Sequence, residues 1–424
     1  MIIHVVTPGE TLFSIAQRYG VPESRLLTDN GLEADTPLVV GQTLVIQFPE
    51  QTYTVQEGDT LTSIADALDV SVNQLLRNNP GLNGLSVVYP GQTLVVSYIQ
   101  EKQGTMSVNG YAYPFIDRDV LRKTLPYLTY ITLFTYGFTP EGTLVTIDDD
   151  EVLAITREYG VSPILLLSTL TPEGTFSNQL AHILLNDLAL QNRLIDELLA
   201  LMAQKGYEGL DVDFEYILPE DRDAFVDFIR LTTDRMNAAG YTVITALAPK
   251  TSGDQPGLLY EAHDYAALGE ASNAVLLMTY EWGYTYGPPM AVAPINKVRQ
   301  VLDYAVTVID PAKIFMGIPN YGYDWTLPFV AGESRAQSLS NVGAVDLARR
   351  VGAEIQYDET AQAPFFNYYD EEGRQHEVWF EDARSIQAKL ALIPEYGFQG
   401  ASYWNIMRYF PQNWLVLNAL YNIR

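Results

Sequence analysis

Residues 208–215, Glu-Gly-Leu-Asp-Val-Asp-Phe-Glu, place three carboxylates, those of Asp211, Asp213 and Glu215, at alternating positions. In a β-strand this spacing directs the acids to one face and the intervening apolar residues to the other. Carboxylates about 6–7 Å apart along a strand raise one another's pKa. Such a group can stay protonated near neutral pH and act as a general acid. Taken alone, an acidic strand could also bind Ca²⁺ or face solvent at a sheet edge.

Strands alternate with helices over residues 107–424, and this order predicts what positions the three acids. Strand segments fall at 108–111, 130–136, 164–168, 209–215, 242–248, 274–280, 314–319 and 400–404, and helical segments near 116–126, 149–159, 184–205, 219–239, 258–268, 291–308, 341–352 and 383–396. Eight strands that each adjoin a helix are typical of a (β/α)8 TIM barrel, so the predicted fold class is α/β. Catalytic groups of such barrels lie at the carboxyl ends of the strands. Glu215, the last acid along the fourth strand, is therefore expected nearest the open face.

The stretch between the seventh and eighth strands is long, covering residues from about 327 to 382. Within it, residues 354–357, 365–369 and 376–380 alternate like strands of an antiparallel sheet, and Asp370-Glu-Glu-Gly373 is typical of a hairpin turn. We predict a small α+β insertion beside the barrel mouth, where it could form one wall of a cleft.

An internal repeat occupies the first 98 residues. The segments His4–Ala16 and Tyr53–Ala65 match in register, and each copy closes with Gly-Gln-Thr-Leu-Val, at 41–45 and 91–95. Apolar residues at helical spacing follow a glycine turn in each copy, which predicts a βααβ unit of about 45 residues. We predict two such domains, residues 1–48 and 51–98, then a polar linker over 99–106 and a catalytic domain over 107–424.

This repeat resembles the LysM domain over nearly the whole of both copies. The resemblance implies binding to glycans that contain N-acetylglucosamine, such as peptidoglycan or chitin, with the second copy adding avidity on a polymer. A small repeat used only for packing is the alternative. The glycan groove implied by the resemblance lies near the first turn and the end of the second helix, at Gly9, Glu10, Thr11 and Asn30 in one copy and Gly58, Asp59, Thr60 and Asn79 in the other.

The composition excludes several classes of partner. The chain has 424 residues, 47% of them hydrophobic, and its 52 acidic and 25 basic side chains give a formal charge of −27. So negative a field repels nucleic acid and anionic membranes, so we expect neither as a partner. The N-terminus lacks the basic and apolar regions of a signal peptide, and no run of about 18 apolar residues is present, so neither export by the general route nor a membrane span is expected.

Residues that usually bind metals are few. The chain has no cysteine, which excludes disulfides, thiolate metal sites and a cysteine nucleophile. The histidines at positions 4, 182, 263 and 376 show no metal-ligand spacing. We therefore expect no metal and no cofactor.

The acidic octapeptide resembles the signature of glycoside hydrolase family 18, Asp-x-x-Asp-x-Asp-x-Glu, with Glu208 in place of the first Asp. The resemblance extends over about residues 107–424. Met278-Thr-Tyr-Glu281 is similar to the family's sixth-strand Met-x-Tyr-Asp, and residues 317–322, Gly-Ile-Pro-Asn-Tyr-Gly, are similar to its seventh-strand Gly-x-Pro-x-Tyr-Gly. Trp404 fits the aromatic residue of the eighth strand. The third strand ends Ser-Thr-Leu at 168–170, without the Gly-Gly usual in chitinases, which with Glu281 argues for a branch away from ordinary chitinases.

The resemblance implies a retaining, substrate-assisted mechanism, in which the acetamido oxygen of the substrate attacks its own anomeric carbon. By this resemblance Glu215 is the general acid and base, Asp213 orients the acetamido N–H, and Asp211 shares a proton with Asp213. Tyr280 would donate a hydrogen bond to the acetamido oxygen. The implied substrate-binding residues are Trp404 beneath the sugar, Glu281, Tyr111, Tyr321, Asn109 and Met278.

The combination of two LysM units and this barrel resembles one subgroup of family 18, the cortical-fragment lytic N-acetylglucosaminidases of bacterial spores. That resemblance implies hydrolysis of spore-cortex peptidoglycan during germination, and a location in the coat or cortex region of the spore reached without a signal peptide. Association with the cell wall is the alternative location. A chitinase acting on chitin oligosaccharides and a catalytically silent glycan-binding lectin are the alternative functions. We expect the protein to be a monomer, because this state requires no further assumption.

Overall fold

The computed structural model describes residues 1–171 and 173–424. Residues 1–98 fold as two successive strand–helix–helix–strand units, each with its two strands antiparallel. Their elements are β1 (Ile2–Val5), α1 (Leu12–Tyr19), α2 (Glu23–Asp29), β2 (Thr43–Ile46), β3 (Pro49–Thr54), α3 (Leu61–Ala67), α4 (Val72–Asn78) and β4 (Thr93–Tyr98). The predicted βααβ order is confirmed in both copies.

The first helix of each unit begins where the sequence pattern places it. Thr11 and Thr60 accept hydrogen bonds from the backbone N–H groups of Ser14 and Ser63, which satisfies otherwise unpaired donors at the helix start. Both serine hydroxyls accept in return from the N–H of the capping threonine. The repeated Thr-x-x-Ser pattern therefore fixes the start of α1 and α3.

The rest of the chain forms a barrel and an added sheet. The strands are β5 (Gly104–Ala112), β6 (Tyr130–Phe138), β7 (Leu144–Val145), β8 (Ser162–Ser168), β9 (Gly209–Asp213), β10 (Thr242–Leu247), β11 (Ala274–Leu277), β12 (Ile314–Pro319), β13 (Gly322–Thr326), β14 (Gln337–Leu339), β15 (Gln356–Asp358), β16 (Ala363–Tyr369), β17 (Gln375–Trp379), β18 (Gly400–Trp404) and β19 (Tyr421–Ile423). The helices are α5 (Arg118–Thr124), α6 (Asp150–Glu158), α7 (Asn178–Leu185), α8 (Leu188–Lys205), α9 (Arg222–Ala238), α10 (Tyr265–Ala271), α11 (Ile295–Ala305), α12 (Asn341–Val351), α13 (Ala383–Tyr396) and α14 (Pro411–Leu420).

Within the described residues, eight parallel strands close into a barrel. Each strand pairs with the next in the order β5, β6, β8, β9, β10, β11, β12 and β18, and β18 pairs with β5 to complete the ring. Closure leaves no free edge in this sheet. The predicted (β/α)8 barrel is confirmed, and the acidic strand β9 lies between β8 and β10.

The first barrel strand is longer than its local sequence suggests. β5 begins at Gly104, inside the segment expected to be a linker, because Gly104–Met106 pair in parallel with β19 at the other end of the chain. A pairing between residues more than 300 positions apart has no local sequence signal.

The insertion between the seventh and eighth barrel strands is an antiparallel sheet in the order β14, β13, β17, β16, β15, with α12 packed against it. The predicted α+β insertion is confirmed. It begins at Gly322, earlier than the predicted start near residue 327, because the chain leaves β12 and enters β13 almost at once. In the described part of the chain, none of the helices is long and apolar enough to cross a membrane.

Candidate active site

Three carboxylates lie along and just beyond β9. The strand ends at Asp213, and Glu215 stands two residues later in the loop, where Tyr216 turns the chain with a φ of 58°. Phe214 is fully buried and its ring stacks on those of Phe225 and Phe228 in α9, with centroid distances of 5.9 and 5.7 Å. Because Phe214 points outward to the helix, the strand alternation persists and Glu215 faces the barrel mouth with the other two acids.

Asp211 lies deepest of the three acids. It has no solvent exposure, and the hydroxyl of Tyr111 donates a hydrogen bond to its Oδ2. Burial raises the pKa of Asp211 to about 8; the bond from Tyr111 opposes this rise and the charge of Asp213 adds to it. Asp211 therefore holds a proton for much of its time at neutral pH.

Asp213 and Glu215 share one environment nearer the mouth. Burial raises the pKa of Asp213 to about 7. Burial also raises the pKa of Glu215 well above its usual range, and the negative charges of Asp213 and Glu281 raise it further. A carboxyl group that keeps its proton at neutral pH can protonate a leaving group, so Glu215 has the state required of a general acid.

Asp213, Glu215 and Glu281 line a cleft with a volume of about 440 Å³, which we call the acid cleft. Trp404 forms part of its wall, with its ring 5.0 Å from Phe134 and 5.7 Å from Tyr111, both in edge-on contact. An aromatic ring held in this way offers its face to the apolar side of a sugar ring. The residues that line the acid cleft include Tyr111, Phe134, Phe176, Asp213, Glu215, Tyr216, Tyr260, Met278, Tyr280, Glu281, Tyr284 and Trp404.

Tyr280 and Glu281 follow the end of β11. The pKa of Tyr280 is raised well above its usual range, first by burial and then by the charges of Asp213 and Glu215, so its hydroxyl stays a neutral donor. Glu281 has a φ of 67° and accepts hydrogen bonds from the hydroxyls of Tyr321 and Tyr323, the latter at 3.1 Å. Burial raises the pKa of Glu281, and these two bonds oppose the rise.

A second cleft of about 460 Å³, which we call the flanking cleft, lies on the other side of Glu281 and Trp404. Both of these residues line the two clefts, so a chain of sugars could pass from one to the other across them. The residues that line the flanking cleft are Tyr113, Phe115, Glu281, Asn320, Tyr321, Tyr323, Ser338, Trp404, Asn405, Met407 and Arg408.

The structure brings the residues predicted in the barrel together around the two clefts, except for Asp211, which is buried behind the cleft surface against Tyr111, and Asn109. Asn109 lines neither cleft. It is buried inside the barrel, where it donates to Ser402 at 3.0 Å and accepts from Thr132 at 2.9 Å. Both ends of its amide are bonded within the barrel, which does not favour its predicted contact with substrate.

Several residues that line the clefts are absent from the sequence prediction. Tyr113 and Phe134 come from barrel strands, or just after them, whose alternation could have indicated inward-facing side chains. Tyr323 belongs to the insertion, and Arg408 to the loop after β18. Their place at the cleft depends on tertiary packing.

A buried histidine lies behind the acid loop. The backbone N–H of Ala248 donates to Nδ1 of His263 at 2.9 Å, so Nε2 carries the proton, and it lies 3.0 Å from the carbonyl oxygen of Phe214. Burial lowers the pKa of His263 to about 4, against the effect of its bond to Phe214. The neutral ring thus joins the loop after β10 to the residue that precedes Glu215.

In the repeats, many of the predicted glycan-contacting side chains are engaged within their own fold. Glu10 pairs with His4 and Arg18, and Asp59 accepts from Tyr53. As described above, Thr11 and Thr60 cap helices. Gly9 and Gly58 are turn residues, with φ of 83° and 87° and open space around them.

Asn30 and Asn79 are buried at the ends of their helices. Each side-chain amide donates to a carbonyl of the helix and to one of the closing strand, and its oxygen accepts from that strand at Val45 or Val95. The expectation that these two side chains contact glycan stays a prediction. They tie helix to strand in each repeat. Among the described residues, no cluster of three potential metal ligands occurs.

Comparison with known proteins places this geometry in context. Residues 172–408 match the model of glycosyl hydrolases family 18, and residues 4–47 and 53–97 match that of the LysM domain. The chain is 43% identical to the cortical fragment-lytic enzyme of Bacillus subtilis, over 100% of this chain and 99% of the relative. The crystal structures of the spore cortex-lytic enzyme SleL from Bacillus cereus and Bacillus megaterium are similar, with TM-scores of 0.85 and 0.84, identities of 39% and 36%, and coverage of 100% of this chain and 98% of theirs in both cases.

Proposed function

The chain belongs to glycosyl hydrolases family 18, and from this premise we propose that it cleaves N-acetylglucosamine linkages in spore-cortex peptidoglycan. It is a glycoside hydrolase with LysM domains, two features that indicate binding of peptidoglycan-type or chitin glycans. The observation that carries the proposal is the row of Asp211, Asp213 and Glu215 beside Trp404, with Glu215 protonated at the cleft. Similarity over the full chain to a cortical fragment-lytic enzyme supports cortex peptidoglycan as the substrate.

In the proposed reaction, the acetamido oxygen of the substrate attacks its anomeric carbon, and the glycosidic bond to the leaving oxygen breaks. Glu215 donates its proton to that oxygen and becomes a carboxylate. The resulting oxazolinium ion carries a positive charge, which the neighbouring Asp213 stabilises in its ionised form. Water then gives a proton to Glu215 as its oxygen attacks the anomeric carbon, and the bond between that carbon and the acetamido oxygen breaks. This step restores the acid and the acetamido group, and the two displacements together retain the anomeric configuration.

Supporting residues hold the acetamido group in this scheme. Tyr280 donates to the acetamido oxygen, and Asp213 accepts from the acetamido N–H. Asp211, which shares a proton with Asp213, lets the charge on Asp213 change during the cycle. Trp404 carries the sugar ring on its face, and Glu281, Tyr111, Tyr321 and Met278 line the surrounding wall.

Replacement of Glu215 by Gln tests the acid directly. We expect kcat on peptidoglycan fragments to fall by about 10²–10⁴-fold, the usual contribution of general acid–base catalysis. Glu208→Gln is the matched control, because Glu208 is an exposed acid at the other end of the same segment whose side chain accepts a hydrogen bond from Ser162. Equal activity of Glu215→Gln and wild type would overturn the assignment and favour a lectin for the cleft.

Mass spectrometry of the products tests the substrate. New reducing-end N-acetylglucosamine released from cortex fragments is the expected result. Release from chitin oligosaccharides alone would favour the chitinase alternative. We further propose that the protein acts as a monomer without a cofactor. Its similarity to cortical fragment-lytic and spore cortex-lytic enzymes supports a location in the coat or cortex region of the spore.

A further inference from the structure

The two clefts contain unequal numbers of charges. Three acids line them, Asp213, Glu215 and Glu281, and among the residues described as lining either cleft the one cation is Arg408. The whole chain carries a formal charge of −27, so a cation beside three acids at the clefts runs against the overall charge of the protein. Within residues 1–171 and 173–424, Arg408 forms no salt bridge, and its side chain is exposed.

The loop after β18, which carries Arg408, is hydrogen-bonded to the residue that follows β12. The side-chain amide of Asn320 donates to the carbonyl oxygens of Asn405 and Arg408, both at 2.9 Å, and its backbone N–H donates to the carbonyl of Trp404 at 3.0 Å. Asn320 follows directly after β12. The backbone of Arg408 is therefore positioned relative to Trp404 by two neighbouring barrel strands, and its exposed side chain extends from this fixed point.

A guanidinium group carried at this place on a fixed backbone matches a carboxylate. Its planar fork can donate two parallel hydrogen bonds to the two carboxylate oxygens, and arginine is more weakly hydrated than lysine. Chitin is an uncharged polymer and offers no such group. Peptidoglycan does, because its muramic acid residues carry a lactyl ether whose carboxyl group is either free or extended by a peptide that ends in carboxylates.

We propose that Arg408 binds a carboxylate on the muramic acid residue next to the N-acetylglucosamine on Trp404, and so selects acidic peptidoglycan over neutral glycans. The proposal rests on the function proposed above. The carboxylate is the group that distinguishes peptidoglycan from chitin, the two candidate substrates. This contact lies in the flanking cleft. The carboxylate that Arg408 binds belongs either to the lactyl group or to the attached peptide.

The test compares Arg408→Gln with wild type on paired substrates. One is a peptidoglycan oligosaccharide with free carboxylates, and the other is the same oligosaccharide with its carboxylates converted to amides. We expect the ratio of kcat/KM for the acidic over the amidated substrate to fall about tenfold in Arg408→Gln, mainly through KM, as expected when one charge-assisted contact is lost. Arg408→Lys should retain part of this ratio, since it keeps the charge but loses the fork.

Controls separate the proposal from general damage. Arg230→Gln removes an exposed arginine on the outer helix α9 and should leave the ratio at the wild-type value. The wild-type preference should weaken as salt rises, because salt screens an exposed charge pair. A peptide-free oligosaccharide shows whether the lactyl carboxylate is sufficient: a retained effect assigns it as the ligand, and a lost effect assigns the peptide carboxylate.

An unchanged ratio in Arg408→Gln, with wild-type enzyme cleaving both substrates, would overturn this inference while leaving the proposed function intact. An equal loss on acidic and amidated substrates would overturn it as well, since it would show a purely structural role. If wild-type enzyme cleaves neither peptidoglycan substrate but cleaves chitin oligosaccharides, it is the proposed function that has failed.

Discussion

Three acids that look alike in the sequence differ in the structure because of their depth. Asp211 is sealed inside the barrel against Tyr111, Asp213 ends the strand, and Glu215 reaches the cleft from the following loop. Each step toward the mouth brings the carboxyl group nearer to substrate. Desolvation raises the pKa of all three, so ionising any of them in the folded protein costs free energy.

The cost of ionising buried Asp211 predicts that Asp211→Asn stabilises the protein at alkaline pH. The pKa of Asp211 rises from 3.8 when unfolded to about 8 when folded, so between these values the folded state binds a proton that the unfolded state has lost. Stability therefore falls as pH rises through this window, and the full penalty remains above it. Asparagine cannot ionise, so the penalty disappears, while activity should fall because Asp213 loses its proton-sharing partner.

Thermal unfolding at two pH values checks this prediction. The Tm of Asp211→Asn minus the Tm of wild type should be greater by a few degrees at about pH 8 than at about pH 4. A change of 1 kcal/mol shifts Tm by about 2–4 °C in mid-sized domains and by less in longer chains. The comparison between pH values removes any constant cost of the new amide. Asp227→Asn, at an exposed acid on α9, should show no such pH dependence. A constant difference at both pH values would contradict the prediction.

At the scale of elements, the acid loop is positioned by the element beside it. His263 stands just before α10 and joins Ala248, after β10, to Phe214, after β9. Tyr265 strengthens the same junction, since its hydroxyl accepts from the N–H of Lys250. The backbone that carries Glu215 is thus held from behind by one neutral imidazole ring.

We expect His263→Phe to lower kcat about tenfold, which corresponds to about 1.4 kcal/mol of transition-state stabilisation, with KM within about twofold. The ring volume remains but the bond to Phe214 is lost, so Glu215 is less well placed for proton transfer. His263→Gln can still donate to that carbonyl and should recover part of kcat. His4→Gln, in the first repeat, is the matched control. A rise in KM with unchanged kcat would show that His263 acts on binding instead.

The parts of the fold and of the candidate site that the sequence predicts are those whose residues lie close together along the chain. Asp211, Asp213 and Glu215 lie in one octapeptide, and the strand period alone places them on one face. The helix predicted over 258–268 begins instead at Tyr265, because Asp264 caps it and the preceding residues form the loop that reaches the acid cleft. His263 and Tyr323 gain their roles only from partners about 40 to 50 residues away, which no local pattern reveals.

At the scale of the whole molecule, both repeats are docked on the barrel. In the first repeat, the backbone N–H of Ile355 in the insertion donates to Val40 at 2.9 Å, and Thr43 donates to Gln412 at 2.8 Å. In the second, Arg77 donates to the carbonyl of Pro126 at 2.7 Å. These contacts set a defined position of the repeats relative to the cleft, and we predict that a polymer bound by the repeats therefore reaches the acids in one orientation.

Gly41 gives a direct test of that docking, because its equivalent in the second repeat, Gly91, is free of neighbours. Both have a left-handed φ, 85° and 87°, so alanine strains the turn equally at both positions. A Cβ at Gly41 would lie 1.8 Å from the carbonyl oxygen of Ile355, whereas one at Gly91 meets nothing within 4 Å. Only Gly41→Ala should therefore displace the first repeat from the insertion.

We expect Gly41→Ala to enlarge the radius of gyration measured by small-angle scattering and to expose residues 37–43 to proteolysis, with Gly91→Ala close to wild type. On short soluble oligosaccharides both variants should keep kcat/KM within about twofold, because the acid cleft is untouched. On insoluble peptidoglycan, Gly41→Ala should lose activity several-fold relative to Gly91→Ala, since the effective concentration of the cleft along a bound glycan depends on the geometry of the link. Equal behaviour of the two variants on the insoluble polymer would mean that the repeats deliver substrate without a fixed orientation, and that the docking serves stability alone.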